Sequence, residues 1–569
     1  MSDYHYSPLA PGQFRVIHLN PGTSSKVTAS LEVVHRLDRC YYEAVSYCWG
    51  SDELTQVVTM NDESVLKVTD SVYSLLFHLR HRENTRKLWV DQMCINQTDH
   101  AEKAAQVKDM RKVYKYTNRL IIWLGDGDDE SDQAMDILHN VSNRLGIKGF
   151  ADITSKLNLA DLSLTVDSSG SISAWPWIKV ARLVSRPWFT RMWVVPEVFL
   201  AADNESIVCC GFSQISWWKF SILHKGLTNS PWSPEDSTTF STEMDYETAT
   251  TLPLEWLLDS FGSMEEHLKL FYILWYMKER HCKQPRDRIF AIRPLIPSLG
   301  AGDLVPNYDD ACSDVQVFTE ATRFIISSSK SLTVLGVCQL RRNLSGLPSW
   351  VPDWTCNGLT RPTRSISNIP YCWETEWYAT IPVSKPRIDD SPLDELHIHG
   401  YCIDRVSQVV SDFDSSPDYL VINIEKIVSK FLYLVTTMYN DGEIRNEAEA
   451  VELMVAKTLA LDQGENGIPP AKDIPNDRPL SSMIKRRIYS TLRFRRPFVT
   501  VKKDLGVGPY EVLPGDIICL FPGGTVPFVL KKIDQHYILV GECYCHNIMQ
   551  GSAVKHLGKE YKLELFRIK

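Results

Sequence analysis

Residues 42–50 read YEAVSYCWG, and two later stretches share their character: LWVDQMCINQ at residues 88–97 and RPWFTRMWVVPE at residues 186–197. In each stretch, apolar residues typical of a buried strand run directly into polar residues. A buried strand delivers polar side chains in this way to the carboxyl edge of an α/β sheet, where ligands bind. The three stretches therefore predict the fold of the first part of the chain and the position of a site.

The segments around these stretches predict a βαβ arrangement. Residues 41–49 alternate like a half-buried strand, and Leu88–Val90 and Leu120–Leu124 are typical of short buried strands. Between the last two, Asp99 and Glu102 have the spacing of a capping box that opens a helix. Strand, helix and strand in close succession predict an α/β domain with a mostly parallel sheet.

Composition shifts divide the 569 residues into four expected parts. They are an α/β domain at 1–215, an α-rich region at 216–355, a mixed irregular and helical region at 356–485, and a small β-rich module at 486–569. Ser-rich residues 160–174 and polar residues 225–253 predict surface loops, as do the Pro- and Asp-rich residues 462–482. In the last part, strand-like segments with Pro-Gly and Gly-Gly turns predict a small β-barrel or sheet.

Composition also excludes several functional classes. The formal net charge of −9 argues against non-specific binding to nucleic acid or anionic membranes. No uncharged apolar run approaches the roughly 20 residues of a membrane helix, and the start has no signal-sequence pattern. The fourteen scattered Cys predict free thiols. We therefore expect a soluble cytoplasmic protein without a membrane or nucleic-acid partner.

The basic run at residues 485–496 is the one cluster that fits a different partner. It is compatible with nucleic-acid contact or a nuclear address, or with a solvated helix face. No spacing of Cys and His matches a zinc site, so no metal is predicted.

The three stretches resemble the signature of the fungal heterokaryon-incompatibility (HET) domain. The resemblance rests on Tyr42–Gly50, on Leu88–Gly125, which closes in Trp-Leu-Gly, and on Arg191–Glu197. It implies a protein of fungal non-self recognition and programmed cell death, with a protein partner or self-association. The family in turn is similar to TIR domains, which implies a flavodoxin-like α/β fold. Pro196 departs from the pattern, since the family usually has Gln there.

The TIR resemblance implies that Glu197 is catalytic, as the glutamate of NAD-cleaving TIR enzymes is. NAD would then be a substrate, and no cofactor is expected. A carboxylate beside the ribose stabilises the cationic, oxocarbenium-like state of nicotinamide cleavage. Aromatic rings stack a flat base, and an arginine neutralises a phosphate. The expected nucleotide contacts are Tyr47, Trp49, Asp91, Arg191 and Trp193.

Each of these residues also has a purely structural interpretation. Trp49 and Trp193 can be core anchors, Asp91 can cap the turn before Asn96, and Arg191 can pair with Glu197. Two other functions stay open with them: a non-enzymatic recognition and self-association module, and an enzyme or regulator of a metabolic pathway. Convergence of Tyr47, Asp91 and Glu197 on one place would favour the NAD-cleaving enzyme.

Overall fold

The computed structural model describes most of the chain and divides it into two compact units, Met1–Cys312 and Ser313–Lys569. The described residues are 2–144, 175–201, 205–221, 266–296, 299–300, 302–309, 311–356, 385–411, 424–438, 448–461, 482–492, 494–549 and 553–569. The loops predicted at 160–174 and 225–253 lie outside them, as does nearly all of 462–482.

The described part of the first unit contains one nine-stranded sheet. Its strands are β1 Phe14–Leu19, β2 Thr28–Val34, β3 Glu43–Tyr47, β4 Gln56–Met60, β5 Val65–Val68, β6 Arg86–Trp89, β7 Arg119–Trp123, β8 Ile207–Cys210 and β9 Ser213–Ser216. They lie in the order β5-β4-β2-β1-β6-β3-β7-β8-β9. The strands predicted in the first two stretches, β3 and β6, are therefore neighbours at the centre.

The sheet is mixed, which corrects the expectation of a mostly parallel one. The four central strands β6, β3, β7 and β8 are parallel to one another. On one side β1 pairs antiparallel with both β2 and β6, and β4 and β5 form a hairpin. On the other side only Gly211 and Phe212 separate β8 from β9. So short a connection permits only antiparallel pairing, and the edges of the sheet are hairpins for this reason.

Helices connect and cover these strands. They are α1 Asp70–Leu79, α2 Asp91–Cys94, α3 His100–Tyr116, α4 Asp129–Arg144, α5 Trp175–Val184, α6 Val194–Leu200, α7 Glu266–Tyr276 and α8 Asp287–Phe290, with 3-10 turns at Leu37–Arg39, Pro187–Thr190 and Arg293–Leu295. The α1 helix has the apolar spacing of an amphipathic helix: Val72, Leu75, Leu76 and Leu79 are all buried. Its N-cap is Thr69, whose hydroxyl accepts a hydrogen bond from the Val72 amide.

Helix α3 begins where the capping box predicted it. The Asp99 carboxylate accepts a hydrogen bond from the Glu102 amide at 3.0 Å. The reciprocal half of the box differs, because the Glu102 carboxylate turns to Arg15 and accepts from the Asn96 amide at 2.7 Å. Arg15 is 1% exposed, and its buried charge requires a counter-ion. The Glu102 carboxylate therefore pairs with Arg15 instead of accepting from the N-cap amide, as it would in a capping box.

The second unit combines helices with a β-rich sheet. Its helices are α9 Asp314–Ser329, α10 Ile424–Met438, α11 Ala448–Leu459, α12 Ser482–Leu492 and α13 His546–Met549, with 3-10 turns at Thr333–Val337 and Val554–His556. Its strands are β10 Ile388–Asp389, β11 Leu396–Val409, β12 Arg495–Thr500, β13 Leu505–Pro509, β14 Ile517–Leu520, β15 Phe528–Ile533, β16 His536–Glu542, β17 Tyr544–Cys545 and β18 Leu563–Ile568. The expected helical middle and β-rich end are thus observed.

Five of these strands close into a barrel. The sheet runs β14-β15-β16-β18-β11-β12-β13-β17, and β14 pairs again with β11, so the first five strands form a ring. Aromatic rings fill its interior, with Phe521 edge-on to Phe566 at 5.4 Å between centroids. Gly400 on β11 permits this packing, because a Cβ there would lie 2.3 Å from the Phe521 ring.

Within the described residues of both units, no helix has the length and apolar character needed to span a membrane.

Candidate functional site

The carboxyl ends of β3 and β6 bring the first two sequence stretches together. The two strands are parallel neighbours, with Ala44 opposite Trp89. Strand β3 ends at Tyr47 and β6 at Trp89, so Trp49 and Asp91 emerge at the same edge of the sheet. This edge is where polar side chains that follow parallel strands collect.

Asp91 is the centre of a hydrogen-bond cluster at that edge. Its Oδ1 accepts from the Tyr47 hydroxyl at 2.7 Å and from the Gln92 amide at 2.7 Å. Its Oδ2 accepts from the indole N–H of Trp49 at 2.8 Å. The Tyr47 ring is buried, whereas Asp91 and Trp49 are partly accessible to solvent. Asp91 therefore holds both aromatic side chains of the first stretch in place.

Glu197 comes from the third stretch, in the first turn of α6. Trp193 is the N-cap of this helix and Pro196 is its third residue. Proline is tolerated there because the amides of the first turn have no intrahelical acceptor to lose. The replacement of Gln by Pro at position 196 is therefore compatible with a regular helix that carries Glu197.

A chain of hydrogen bonds reaches Glu197 from the sheet. The indole N–H of Trp188 donates to the Ser46 hydroxyl at 2.8 Å, and that hydroxyl donates to the Glu197 carboxylate. Ser46 lies on β3, and Glu197 is only 4% exposed. Tyr114 on α3 also hydrogen-bonds Glu197. Glu197 is thus held by two neutral donors, Ser46 from β3 and Tyr114 from α3.

Glu197 is buried without an ion-pair partner among the described residues, and its pKa is raised as a result. Loss of hydration raises the pKa of Glu197 to about 7, from an ordinary 4.5, although the positive charge of Arg191 and the Ser46 hydrogen bond oppose the rise. The negative charge of Asp91 acts in the same direction as burial. Near neutral pH this carboxyl group can both hold and release a proton.

Arg191 lies close enough to this cluster to act on it electrostatically, but it forms no ion pair with it. Its charge acts on Tyr47, Tyr114 and Glu197. Its guanidinium forms no ion pair or side-chain hydrogen bond with the residues that the structure describes. The alternative in which Arg191 neutralises Glu197 through an ion pair is thus not observed in the described residues.

Trp193 has a partner outside the cluster. Its side chain hydrogen-bonds the buried carboxylate of Asp287, which also accepts from the Tyr308 hydroxyl at 2.8 Å. Burial raises the pKa of Asp287, and these two hydrogen bonds oppose the rise. Trp193 thus ties the start of α6 to α8, as a structural anchor would.

The structure therefore brings together Tyr47, Trp49, Asp91, Arg191 and Glu197, here called the Asp91–Glu197 cluster. Sequence reasoning missed three further members, Ser46, Tyr114 and Trp188. Ser46 carried a usable signal, because a hydroxyl inside a buried strand requires a hydrogen-bond partner. Tyr114 carried none, since it fits the apolar face of α3 equally well.

Comparison with known proteins gives two matches to family models. Residues 42–197 match the model "Heterokaryon incompatibility protein (HET)", and residues 481–563 match the model "Het-6 beta-barrel domain". The HET match begins at Tyr42 and ends at Glu197, so it includes every residue of the Asp91–Glu197 cluster. The Het-6 match covers most strands of the second-unit sheet.

A curated relative matches nearly the whole chain. It is "Heterokaryon incompatibility protein 6, OR allele" of Neurospora crassa, which is 24% identical over 637 aligned residues, covering 90% of this chain and 89% of that protein. No solved structure matches the chain significantly.

Proposed function

We propose that this chain, in which residues 42–197 match the HET model and residues 481–563 match the Het-6 β-barrel model, acts in fungal non-self recognition that ends in programmed cell death. We propose further that the Asp91–Glu197 cluster cleaves NAD, as TIR-like enzymes do, and that it does so in the cytoplasm. The observation that carries the second proposal is the meeting of three separate sequence stretches around one buried carboxyl group.

The order of the central strands supports a TIR-like, flavodoxin-like fold. Counted along the chain, β3, β6, β7 and β8 are the first to fourth parallel strands, and they lie in the order 2-1-3-4. This is the order of flavodoxin-like folds, which bind ligands beyond the carboxyl ends of the strands where the order reverses. Strand β3 is the reversal point, and Tyr47 and Trp49 follow from it.

The groups of the cluster suit hydrolysis of the nicotinamide–ribose bond. The bond between ribose C1′ and the nicotinamide nitrogen breaks, nicotinamide leaves with the electron pair, and water adds to C1′. Ionised Glu197 stabilises the oxocarbenium-like state and accepts the proton of the attacking water. Asp91 and Tyr47 hold the ribose hydroxyls, Trp49 stacks the flat ring, and the guanidinium of Arg191 pairs with the pyrophosphate.

One observation favours the non-enzymatic alternative. Glu197 is only 4% exposed, so NAD reaches it only if residues above it move. A recognition module that signals through self-association needs no such opening. In that case Glu197 would serve packing, through its hydrogen bonds to Ser46 and Tyr114.

Release of nicotinamide from NAD by the purified full-length chain distinguishes the NAD-cleaving enzyme from the non-enzymatic module. We expect turnover that increases as pH rises through about 7, because the ionised carboxylate is the active form. Glu197→Gln should lower the rate at least about 100-fold, the size of effect expected for loss of a charge-stabilising group. Glu205→Gln makes the same chemical change at an exposed position and should leave the rate unchanged.

The opposite result would identify the interaction module. In that case the wild-type chain releases no nicotinamide, and cell death on expression in a fungal host is the same for wild type and Glu197→Gln. Melting temperatures of both variants show whether a lost rate reflects unfolding.

A further inference from the structure

Two cysteines lie directly opposite each other where the barrel of the second unit closes. Strand β14 pairs antiparallel with β11 to complete the ring, and Cys402 on β11 is the register partner of Cys519 on β14. Both are thiols. Cys519 is fully buried, whereas Cys402 is partly accessible to solvent. Neither residue belongs to the Asp91–Glu197 cluster, which lies in the first unit.

The register places the two side chains within reach of a disulfide. Residues directly opposite on antiparallel strands have Cα atoms about 4.5–5.5 Å apart, and disulfides span Cα separations of about 4.4–6.8 Å. The two Cβ atoms must approach from about 4.5–5.5 Å to about 3.8 Å. A β-bulge permits this approach, because Ile403 is the extra residue where the register shifts between Cys402 and Asp404 and it interrupts the ladder there. The two cysteines can thus be linked with little backbone movement.

The surroundings of the pair favour a thiolate at Cys402 and a thiol at Cys519. The Cys519 S–H donates a hydrogen bond to the Cys402 sulfur, which lowers the pKa of Cys402 to about 7, although burial opposes the change. The positive charge of Arg405 acts in the same direction as the hydrogen bond. Burial and the same hydrogen bond raise the pKa of Cys519 well above its ordinary 9. Because thiolates are the reactive form of cysteine, oxidation begins at Cys402.

Proximity of two thiols is not sufficient by itself. The sulfur atoms of Cys543 and Cys545 are 3.9 Å apart, but both residues are fully buried. Burial raises the pKa of Cys545 well above its ordinary value. Cys40 is the converse case, because it is partly accessible but burial raises its pKa. Cys402 combines accessibility, a lowered pKa and an opposing thiol.

We propose that hydrogen peroxide joins Cys402 and Cys519 in a reversible disulfide across the β11–β14 pairing. The Cys402 thiolate attacks one peroxide oxygen, the O–O bond breaks, and the hydroxide that leaves takes up a proton to become water. The Cys519 sulfur then attacks the sulfenic acid of Cys402, and the hydroxyl group leaves with the Cys519 proton as a second water. The two thiols together lose two electrons, which reduce one peroxide to two waters.

The disulfide makes the closure of the barrel covalent. The β11–β14 pairing completes the ring, and a cross-link within it keeps the two strands together when ladder hydrogen bonds open. A disulfide between residues far apart in sequence also restricts the unfolded chain strongly. Exposure to peroxide should therefore stabilise the barrel, independently of the function proposed for the first unit.

Peptide mapping of the full-length chain after brief treatment with hydrogen peroxide tests the proposal. We expect a pair of peptides joined through Cys402 and Cys519, which dithiothreitol separates. In Cys519→Ala, Cys402 should instead accumulate as a sulfenic acid, which dimedone labels. Cys40 is an internal reference and should be oxidised at least about tenfold more slowly, because its raised pKa leaves less thiolate. Cys543→Ala removes a thiol close to Cys519 and should leave the disulfide unchanged.

Thermal unfolding gives a second readout that does not depend on a variant of buried Cys519. Peroxide should raise the melting temperature of the wild-type chain, and dithiothreitol should reverse the rise. Cys402→Ala changes a partly accessible residue and should melt at the same temperature with and without peroxide. The proposal is overturned if the wild-type chain yields no Cys402–Cys519 pair, if Cys519 is joined to Cys543 instead, or if Cys40 is oxidised as fast as Cys402.

Discussion

Two buried glutamates contact opposite ends of strand β3, and they differ in whether an arginine pairs with them. At its start, Glu43 is 4% exposed and forms ion pairs with Arg86 and Arg119. Near its end, Ser46 bonds Glu197, which is equally buried but receives only neutral hydrogen bonds, with Arg191 acting at a distance. Two arginines pair with the Glu43 carboxylate and anchor it in the fold, whereas burial without such a pair raises the pKa of Glu197.

Another buried glutamate in the described residues repeats the Glu43 pattern. Glu542 pairs with Arg495 at 3.1 Å, and both side chains are nearly inaccessible. Glu197 differs from these two because it has no ion-pair partner among the described residues, and a buried carboxyl group with a raised pKa is a marker of functional sites.

The pH dependence of stability gives the sharpest test of the comparison. The pKa of folded Glu197 is raised to about 7, so the folded state binds this proton more tightly than the unfolded state does. The resulting stability is fully present below about pH 4.5 and is lost as pH rises through about 7. The total loss relative to Glu197→Gln is about 3 kcal/mol, at about 1.4 kcal/mol per pH unit.

Urea unfolding of wild type and Glu197→Gln at a series of pH values between 5 and 8 measures this difference. If the unfolding free energies of the two proteins plotted against pH stay parallel over that range, Glu197 is not protonated in the folded state.

Glu43→Ala should produce an effect of similar or slightly smaller size. It leaves Arg86 without its carboxylate and Arg119 with only the exposed Glu205, and removing one partner of a buried pair costs about 3 kcal/mol at the lower end of the usual range. The lower end applies because Arg86 and Arg119 keep some contact with water. Unfolding in urea at pH 7 measures the loss, and a change below about 1 kcal/mol would contradict the anchoring role.

Ser46→Ala should cost less and act on Glu197 in a defined direction. It removes a donor to the carboxylate and leaves the Trp188 indole N–H without its acceptor, a loss of about 1.5 kcal/mol. Because the Ser46 hydrogen bond lowers the pKa of Glu197, its removal should raise that pKa further. The difference in unfolding free energy between Ser46→Ala and Ser46→Ala/Glu197→Gln should then change at a higher pH than the difference between wild type and Glu197→Gln. A change at a lower pH would refute the assignment.

Tyr47→Phe should have the smallest effect. It removes one of three donors to the Asp91 carboxylate, for a loss of about 1 kcal/mol. Asp91 keeps Trp49 and the Gln92 amide as donors. Thermal unfolding measures the change, and a loss as large as that of Glu43→Ala would mean that the cluster, too, is primarily an anchor.

Local pattern predicted the elements that have local causes. Helix α3 begins where Asp99 and Glu102 predict it, because the Asp99 carboxylate accepts from the amide of Glu102 only three positions away. Strand β1 was missed because Arg15 interrupts its apolar pattern, and only Glu102, 87 positions away, explains a buried arginine there. The hairpin of β4 and β5 was missed because its half-exposed residues carry a weak alternation.

The sequence by itself determined the family signature of the three stretches and the edge of the sheet at which the first two meet. The third stretch forms a 3-10 turn and the start of helix α6 rather than a strand. Only the tertiary structure decided that the Glu43 carboxylate pairs with arginines and that Glu197 is buried without such a pair. Glu197 and Ser46 are 151 positions apart, and the pKa of a buried group depends on atoms within a few ångströms of it. No local pattern of residues records which distant donors and charges the fold will place there.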